Sequence, residues 1–425
     1  MVPVRGEERP GLAGAGRAAF QRAWINRDQG GHIGTRMARR HETARKVVLM
    51  PSFPTSGTDL HVRTQELASV ASRYAERADA DRMLSPAVTD GIVDAGFARH
   101  FVPARLGGTE GTAAGLLGAV STLAQGCTSA AWSASVIAGA GRMGAYLPEE
   151  GQDELWAKGA NTVVVGALMP RGSATAVSGG WRVTGEWAYT SAVGFSDWAL
   201  VCALVPQDGA RVPWFFALPR RDYDVADTWT SLGMRGTASN TLIADNVFVP
   251  AHLGFTRQDM IEGRSVGSRA RCHTAPLRLL SGLLFGAPAL GAARAALRVW
   301  ADDARTGAEE EELSLRTALA RATIAVDGAA LLLERAAGVA DAPAAGPLEL
   351  TRNPADCAYA VERLVDVVEG LLRASGSSGQ LAGHPLQRIW RDVHSLASHV
   401  ALRFDPAAGA YGSQLLQPGP GSGTP

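Results

Sequence analysis

The sequence predicts an α+β chain in three parts: an N-terminal helical domain, a middle antiparallel β domain and a C-terminal four-helix bundle. The main observation is a change of apolar period. It runs at three to four residues from Asp59 to about Gly159, falls to two from Thr162 to Pro250, and returns to the helical value between about Pro276 and Leu402. The last stretch then divides into four segments of bundle length, at residues 277–301, 313–338, 354–374 and 386–402. Domains are accordingly expected at residues 59–161, 162–255 and 270–415. Before them, residues 1–58 are rich in arginine and glycine and show no sustained apolar period. They are expected to be a disordered leader, or an extension upstream of a start at Met37 or Met50.

The first helix is marked by Leu67, Val70, Ala71, Tyr74 and Ala78 at three- and four-residue steps. Pro86 is placed to open the next, with Gly91 within its run and Gly96 near its end. After a loop at 102–108 come two alanine-rich apolar helices, 113–124 and 130–145, whose small residues permit close packing. Strands are expected at 162–168, 181–184, 198–205, 214–218 and 241–247, separated by Gly, Pro and Asp turns.

The chain has 425 residues, with 41 Lys plus Arg against 41 Asp plus Glu, so no global charge recruits nucleic acid or an anionic membrane. Apolar runs such as 277–290 are broken by serine, glycine and proline and are shorter than a membrane span. No secretory signal is visible at the start. Cys127, Cys202, Cys272 and Cys357 share no close spacing and are expected to be reduced packing residues, which implies the cytoplasm.

The best-defined motif is Thr228-Trp-Thr-Ser-Leu-Gly-Met-Arg-Gly-Thr-Ala-Ser239, followed by Asp245-Asn-Val-Phe-Val-Pro250. It sets an aromatic plane, Trp229, before a glycine-bracketed turn offering Arg235, Thr237 and Ser239. Hydroxyls, backbone amides and one guanidinium in such a turn make an anion cradle, and an ordinary polar β-turn would read the same way. Two further segments are Gly179-Gly-Trp-Arg-Val-Thr-Gly-Glu-Trp-Ala-Tyr-Thr-Ser191 and Leu386-Gln-Arg-Ile-Trp-Arg-Asp-Val-His-Ser-Leu-Ala-Ser-His399.

Together these three motifs resemble the acyl-CoA dehydrogenase family, in particular its flavin-dependent monooxygenase branch, over roughly residues 67–412. That branch includes phenol hydroxylase oxygenase components, dibenzothiophene monooxygenases and aromatic polyketide hydroxylases. The resemblance implies that Ser191 lies beside the flavin N5 and carbonyl edge with Tyr189 nearby. It also implies that Trp229 and Ser239 contact the flavin and its phosphate, and that Arg305 reaches the phosphate of a neighbouring subunit's flavin. Ser375, Gly376, Ser377 and Ser378 stand where the family carries a glycine-rich flavin loop. A solvated Arg305 beside the acid run 309–312, and a plain interhelical linker at 375–379, are the competing readings.

Acyl-CoA dehydrogenation needs a carboxylate to take the proton alpha to the thioester. Both places where the family carries that base are empty here. Residues 272–291 contain no Asp or Glu, and after the Arg391-Asp392 pair none follows His399 until Asp405. His399 stands instead where the oxygenase branch keeps a histidine near the flavin's reactive edge. An imidazole there can supply a hydrogen bond and a proton to a flavin hydroperoxide. His394 is expected to be a packing or surface residue.

The resemblance thus implies the oxygenase component of a two-component flavin-dependent monooxygenase. It would use reduced FMN, or FAD, together with O2, and hydroxylate an organic substrate, expected to be aromatic and polycyclic, such as an antibiotic-type natural product. No Gly-x-Gly-x-x-Gly lies between a predicted strand and helix, so a separate flavin reductase is expected as partner. A homotetramer, or at least a dimer, is implied by the shared flavin site. N- or S-oxygenation on the same fold, and a catalytically idle scaffold, are the alternatives.

Overall fold

A computed structural model describes residues 59–304 and 312–417. The expected leader at 1–58 and Arg305 lie outside the described residues. The N-terminal part holds α1 (Asp59–Asp81), α2 (Pro86–Ala95), α3 (Ala113–Ala124), α4 (Thr128–Gly144) and α5 (Glu149–Leu155). Pro86 opens α2 at its first turn, where a missing N–H costs nothing, and Gly96 ends it in the left-handed conformation at φ 99°.

The sheet contains β1 (Val164–Val177), β2 (Gly180–Thr190), β3 (Trp198–Gln207), β4 (Ala210–Pro219), β5 (Asp224–Ala226), β6 (Asn240–Pro250) and β7 (Gly254–Thr256), in the order β5-β6-β2-β1-β3-β4-β7. It corrects the expected antiparallel domain, because β1 and β3 pair in parallel while the other pairs are antiparallel. The chain leaves β2 and returns on the far side of β1, and a strand that runs against β2 must run with β1.

Two short helices, α6 (Arg257–Glu262) and α7 (Arg271–Thr274), lead to the bundle of α8 (Ser281–Ala304), α9 (Glu312–Asp341), α10 (Pro347–Ala374) and α11 (Pro385–Ala397), with α12 (Phe404–Leu415) beyond it. α8 corrects the expectation of a broken apolar run. It passes through Pro288 and, with the turn before it, gives 28 residues (Leu277–Ala304) long and apolar enough to cross a membrane. Its apolar window is 78% buried inside the protein, which makes it the central helix of a bundle rather than a span. A side chain at Gly291 would place Cβ 2.1 Å from the Ser121 carbonyl, so glycine lets α8 meet α3 closely. The four cysteines are free and buried.

Candidate functional site

Three segments from distant parts of the chain meet at Ser191. β2 ends in a turn where Tyr189 and Ala192 both take positive φ (65° and 62°). The loop before β6 repeats this device at Met234 (56°) and Ala238 (43°). Such conformations cost of order 1 kcal/mol or more for side chains with a Cβ and persist only where surrounding contacts hold them. Here the two turns hold each other, the Ala192 N–H donating to the Thr237 carbonyl at 3.1 Å.

The hydroxyls then form a directed chain. Trp132 of α4, whose indole can only donate, gives its Nε1–H to Ser191 Oγ at 3.0 Å. Ser191 Oγ lies 2.7 Å from Ser239 Oγ, which lies 2.6 Å from Thr237 Oγ1. Thr237 spends its one proton on the Met234 carbonyl at 2.8 Å. Ser239 therefore donates to Thr237, and the Ser191 proton, directed to Ser239, is free to turn elsewhere without stranding a buried donor. Trp229 is fixed beside this chain: its indole N–H also donates to the Met234 carbonyl (2.9 Å), and its backbone N–H donates to Asn240 Oδ1 (3.0 Å). Tyr189 packs edge-on to Trp229 at 6.1 Å and stays 75% exposed.

His399 corrects its expected place. α11 ends at Ala397, so the ring follows the helix rather than belonging to it. It packs on Phe285 of α8 at 3.8 Å and edge-on to Trp132 at 5.7 Å, which brings it to the Ser191 cluster. Burial lowers its pKa to about 4. The expected role as a proton source is corrected accordingly: the ring is neutral near pH 7. Because Nδ1 accepts from the Ala401 N–H at 3.2 Å, the ring proton lies on Nε2, which remains as a hydrogen-bond donor. His394 bonds the Trp390 carbonyl through Nδ1 at 2.9 Å and is a packing residue.

The remaining candidates lie apart in their bonding. The Arg235 guanidinium donates to the Asp79 carbonyl at 2.8 Å and lies 3.7 Å from the carboxylate of the same residue, so it ties the turn to α1. Ser375 and Ser378 bond locally, to the Leu371 and Ser375 carbonyls, around Gly376 at φ 59°, while Ser377 is exposed. Sequence reasoning missed Trp132, Phe285 and Asp392. Asp392 carried a signal: it stands on the apolar stripe Leu386, Ile389, Val393, Leu396 of α11, and a carboxylate there needs a partner.

These residues fit a flavin. Aromatic faces at Trp132, Phe285 and His399, the hydroxyl chain, and strained turns that set it suit a planar ring with a polar edge, and no ionised group enters the chain. Comparisons with known proteins agree. Residues 283–404 match the model of the acyl-CoA dehydrogenase C-terminal domain. The chain is 30% identical over 344 residues to the FADH(2)-dependent resorcinol hydroxylase, oxygenase component, of a Rhizobium species, covering 74% of this chain and 83% of that protein. It belongs to the flavin-dependent monooxygenases of the acyl-CoA dehydrogenase fold. Among solved structures, 3-HSA hydroxylase from Rhodococcus superposes with a TM-score of 0.80 at 25% identity, over 85% of this chain and 97% of that one. XiaF from Streptomyces, in complex with FADH2 and glycerol, gives 0.79 at 25% identity, over 84% and 94%. The chain is an oxygenase component that uses reduced flavin.

Reduced flavin, when bound, supplies the electrons with which one atom of O2 becomes water while the other enters the substrate. The chain's own residues do the rest. Ser191 and Ser239 would orient the polar edge of the ring, and Trp229 and Tyr189 would hold its flank. Phe285 and Trp132 would shield the ring's flank from water, and neutral His399 would offer a hydrogen bond through Nε2, which is stronger where water is excluded.

Proposed function

We propose that this oxygenase hydroxylates an aromatic metabolite in the cytoplasm as a homotetramer, with reduced FAD delivered by a separate flavin reductase. The observation that carries the reading is the packing of neutral His399 and Phe285 against Trp132, whose indole donates to Ser191 of the Ser191–Ser239 hydroxyl pair. The name of the resorcinol hydroxylase supports an aromatic substrate, and the names of that protein and of XiaF support FAD, with FMN as the alternative. The words "oxygenase component" in the relative's name support a reductase partner. Rapid mixing of the protein, loaded with reduced FAD or FMN, with O2 should give a transient near-ultraviolet band. Phenols and polycyclic aromatics should then yield hydroxylated products. Immediate reoxidation with no band would remove the oxygenase reading for this site. Product from amines or thioethers alone would replace carbon hydroxylation by N- or S-oxygenation.

Assembly is supported by α9, where Leu313, Ile324 and Leu331 are 79, 72 and 64% exposed. Steps of eleven and seven residues return close to the same helix face, so the three form one apolar stripe. Sedimentation at micromolar concentration should show a tetramer, and Ile324→Glu should dissociate it. A monomeric wild type would sink the assembly.

A further inference from the structure

The site's turn is held from below by Asp392 of α11. Met234 takes φ 56° and ψ 27°, a costly conformation for a methionine, and is almost fully buried. Its carbonyl collects three donors: Trp229 Nε1–H, Thr237 Oγ1–H and the Thr237 N–H at 3.1 Å. Its own N–H donates to Asp392 Oδ1 at 2.5 Å, and Asp392 is 5% exposed. One peptide group on either side of Met234 thus connects a buried carboxyl of α11 to the indole and the hydroxyls of the site.

We propose that Asp392 is a positioning residue of the oxygenase: by accepting from the Met234 N–H it fixes the left-handed turn that brings Ser239 to Ser191 and Trp229 to its place beside them. The proposal rests on the reading of Ser191 and Ser239 as flavin-facing. The connection runs from Asp392 through Met234, Thr237 and Ser239 to Ser191, and ends at Trp132, the residue that packs on His399. Since His399 comes seven residues after Asp392, two past the end of α11, the placement of α11 sets both sides of the site at once.

The docking of α11 does not depend on this bond. Arg391 grips Asp79 with two bonds of 3.0 and 2.7 Å and donates to the Leu232 carbonyl at 2.8 Å. Gly233 lies so near that a Cβ there would fall 2.1 Å from the Arg391 carbonyl. Loss of the Asp392 carboxyl therefore leaves the helix in place and frees the turn. Burial pushes that carboxyl up to about 7 and the Met234 N–H acts against the rise, which is the direction expected of a bond that favours the carboxylate.

The test is anaerobic titration of reduced FAD into wild type, Asp392→Ala, Asp392→Asn, Ser239→Ala and the double variant Asp392→Ala/Ser239→Ala, with melting temperature measured alongside. Asp392→Ala should raise the Kd about tenfold, the scale of one lost polar contact, and Asp392→Asn, which keeps an acceptor, should recover most of it. The double variant should bind little worse than the weaker single, because both act through one connection. Should Asp392→Ala not fold, Asp392→Asn carries the same cycle with a smaller effect. A lowered melting temperature with unchanged Kd, or effects that multiply in the double variant, would overturn the proposal. If Ser191→Ala and Ser239→Ala themselves leave the Kd unchanged, the flavin-facing reading fails first, and is recognised as the failure by those two variants alone.

Discussion

Replacing His399 with alanine should cut the product formed per flavin oxidised by roughly five- to tenfold, with hydrogen peroxide taking its place and flavin affinity nearly unchanged. The size is that of one net hydrogen bond of about 1–1.5 kcal/mol. It follows from a neutral ring whose Nδ1 is occupied by the Ala401 N–H and whose Nε2–H is the remaining donor, packed between Phe285 and Trp132. Flavin affinity is spared because the hydroxyl chain does not include His399. The pH dependence distinguishes a donor from a proton source. With its pKa lowered to about 4 by burial, the ring does not titrate between pH 6 and 8, so the wild-type yield should show no step there from this residue. A histidine acting as a cation would lose yield as pH rose through its pKa. Stability gives an independent check. The folded pKa lies below the ordinary value of 6.5, so the unfolded chain binds the proton first, and stability from this ring is lost as pH falls from about 6.5 to 4. The melting temperature of His399→Ala should be less sensitive to acid over that window. Unchanged coupling in the variant would make His399 structural and remove the donor from the mechanism.

The fold was legible because its signal is local. A switch of apolar period from helical to alternating and back survives in the sequence wherever one face is buried, and α3 was readable to the residue. The parallel β1–β3 pair was not, since it depends on which side of β1 the chain returns, a fact of topology rather than of pattern. The three-residue β5 and β7 are too short to show a period at all. In the site, Ser191, Ser239 and His399 were singled out by resemblance. On their chemistry alone the 228–239 segment reads equally well as a polar turn. Trp132 and Phe285 left no trace because an aromatic in an apolar helix looks like core, and its role exists only once β2 and the loop before α12 arrive beside it. Arg235 misled for the complementary reason: a guanidinium in a turn looks like an anion ligand until Asp79, 156 residues away, takes it.

The oxygenase alone, mixed anaerobically with flavin and NADH or NADPH, should not bleach the oxidised flavin band. Any reduction should stay below about one-hundredth of a typical turnover rate of roughly 1–10 s⁻¹. Hydride transfer from a nicotinamide needs the dinucleotide held against the ring, and the usual cradle is a glycine turn between a strand and a helix in a parallel sheet. The chain does contain the spacing, at Gly139-Ala-Gly-Arg-Met-Gly144. All six residues, however, lie inside α4, where their amides are spent on the helix, and Arg142 is buried against the Cys272 and Ala275 carbonyls. Among the described residues the sheet has one parallel pair, β1 with β3, and what joins them is the strand β2 and a three-residue 3-10 turn rather than an α-helix. Adding a reductase that releases reduced flavin should start product formation, even across a dialysis membrane that keeps the two proteins apart, because the flavin can diffuse between them. Turnover that requires direct contact would replace diffusion by a docked complex. Bleaching at a catalytically useful rate with no reductase present would mean that a nicotinamide site exists beside Ser191, and the oxygenase would then reduce its own flavin.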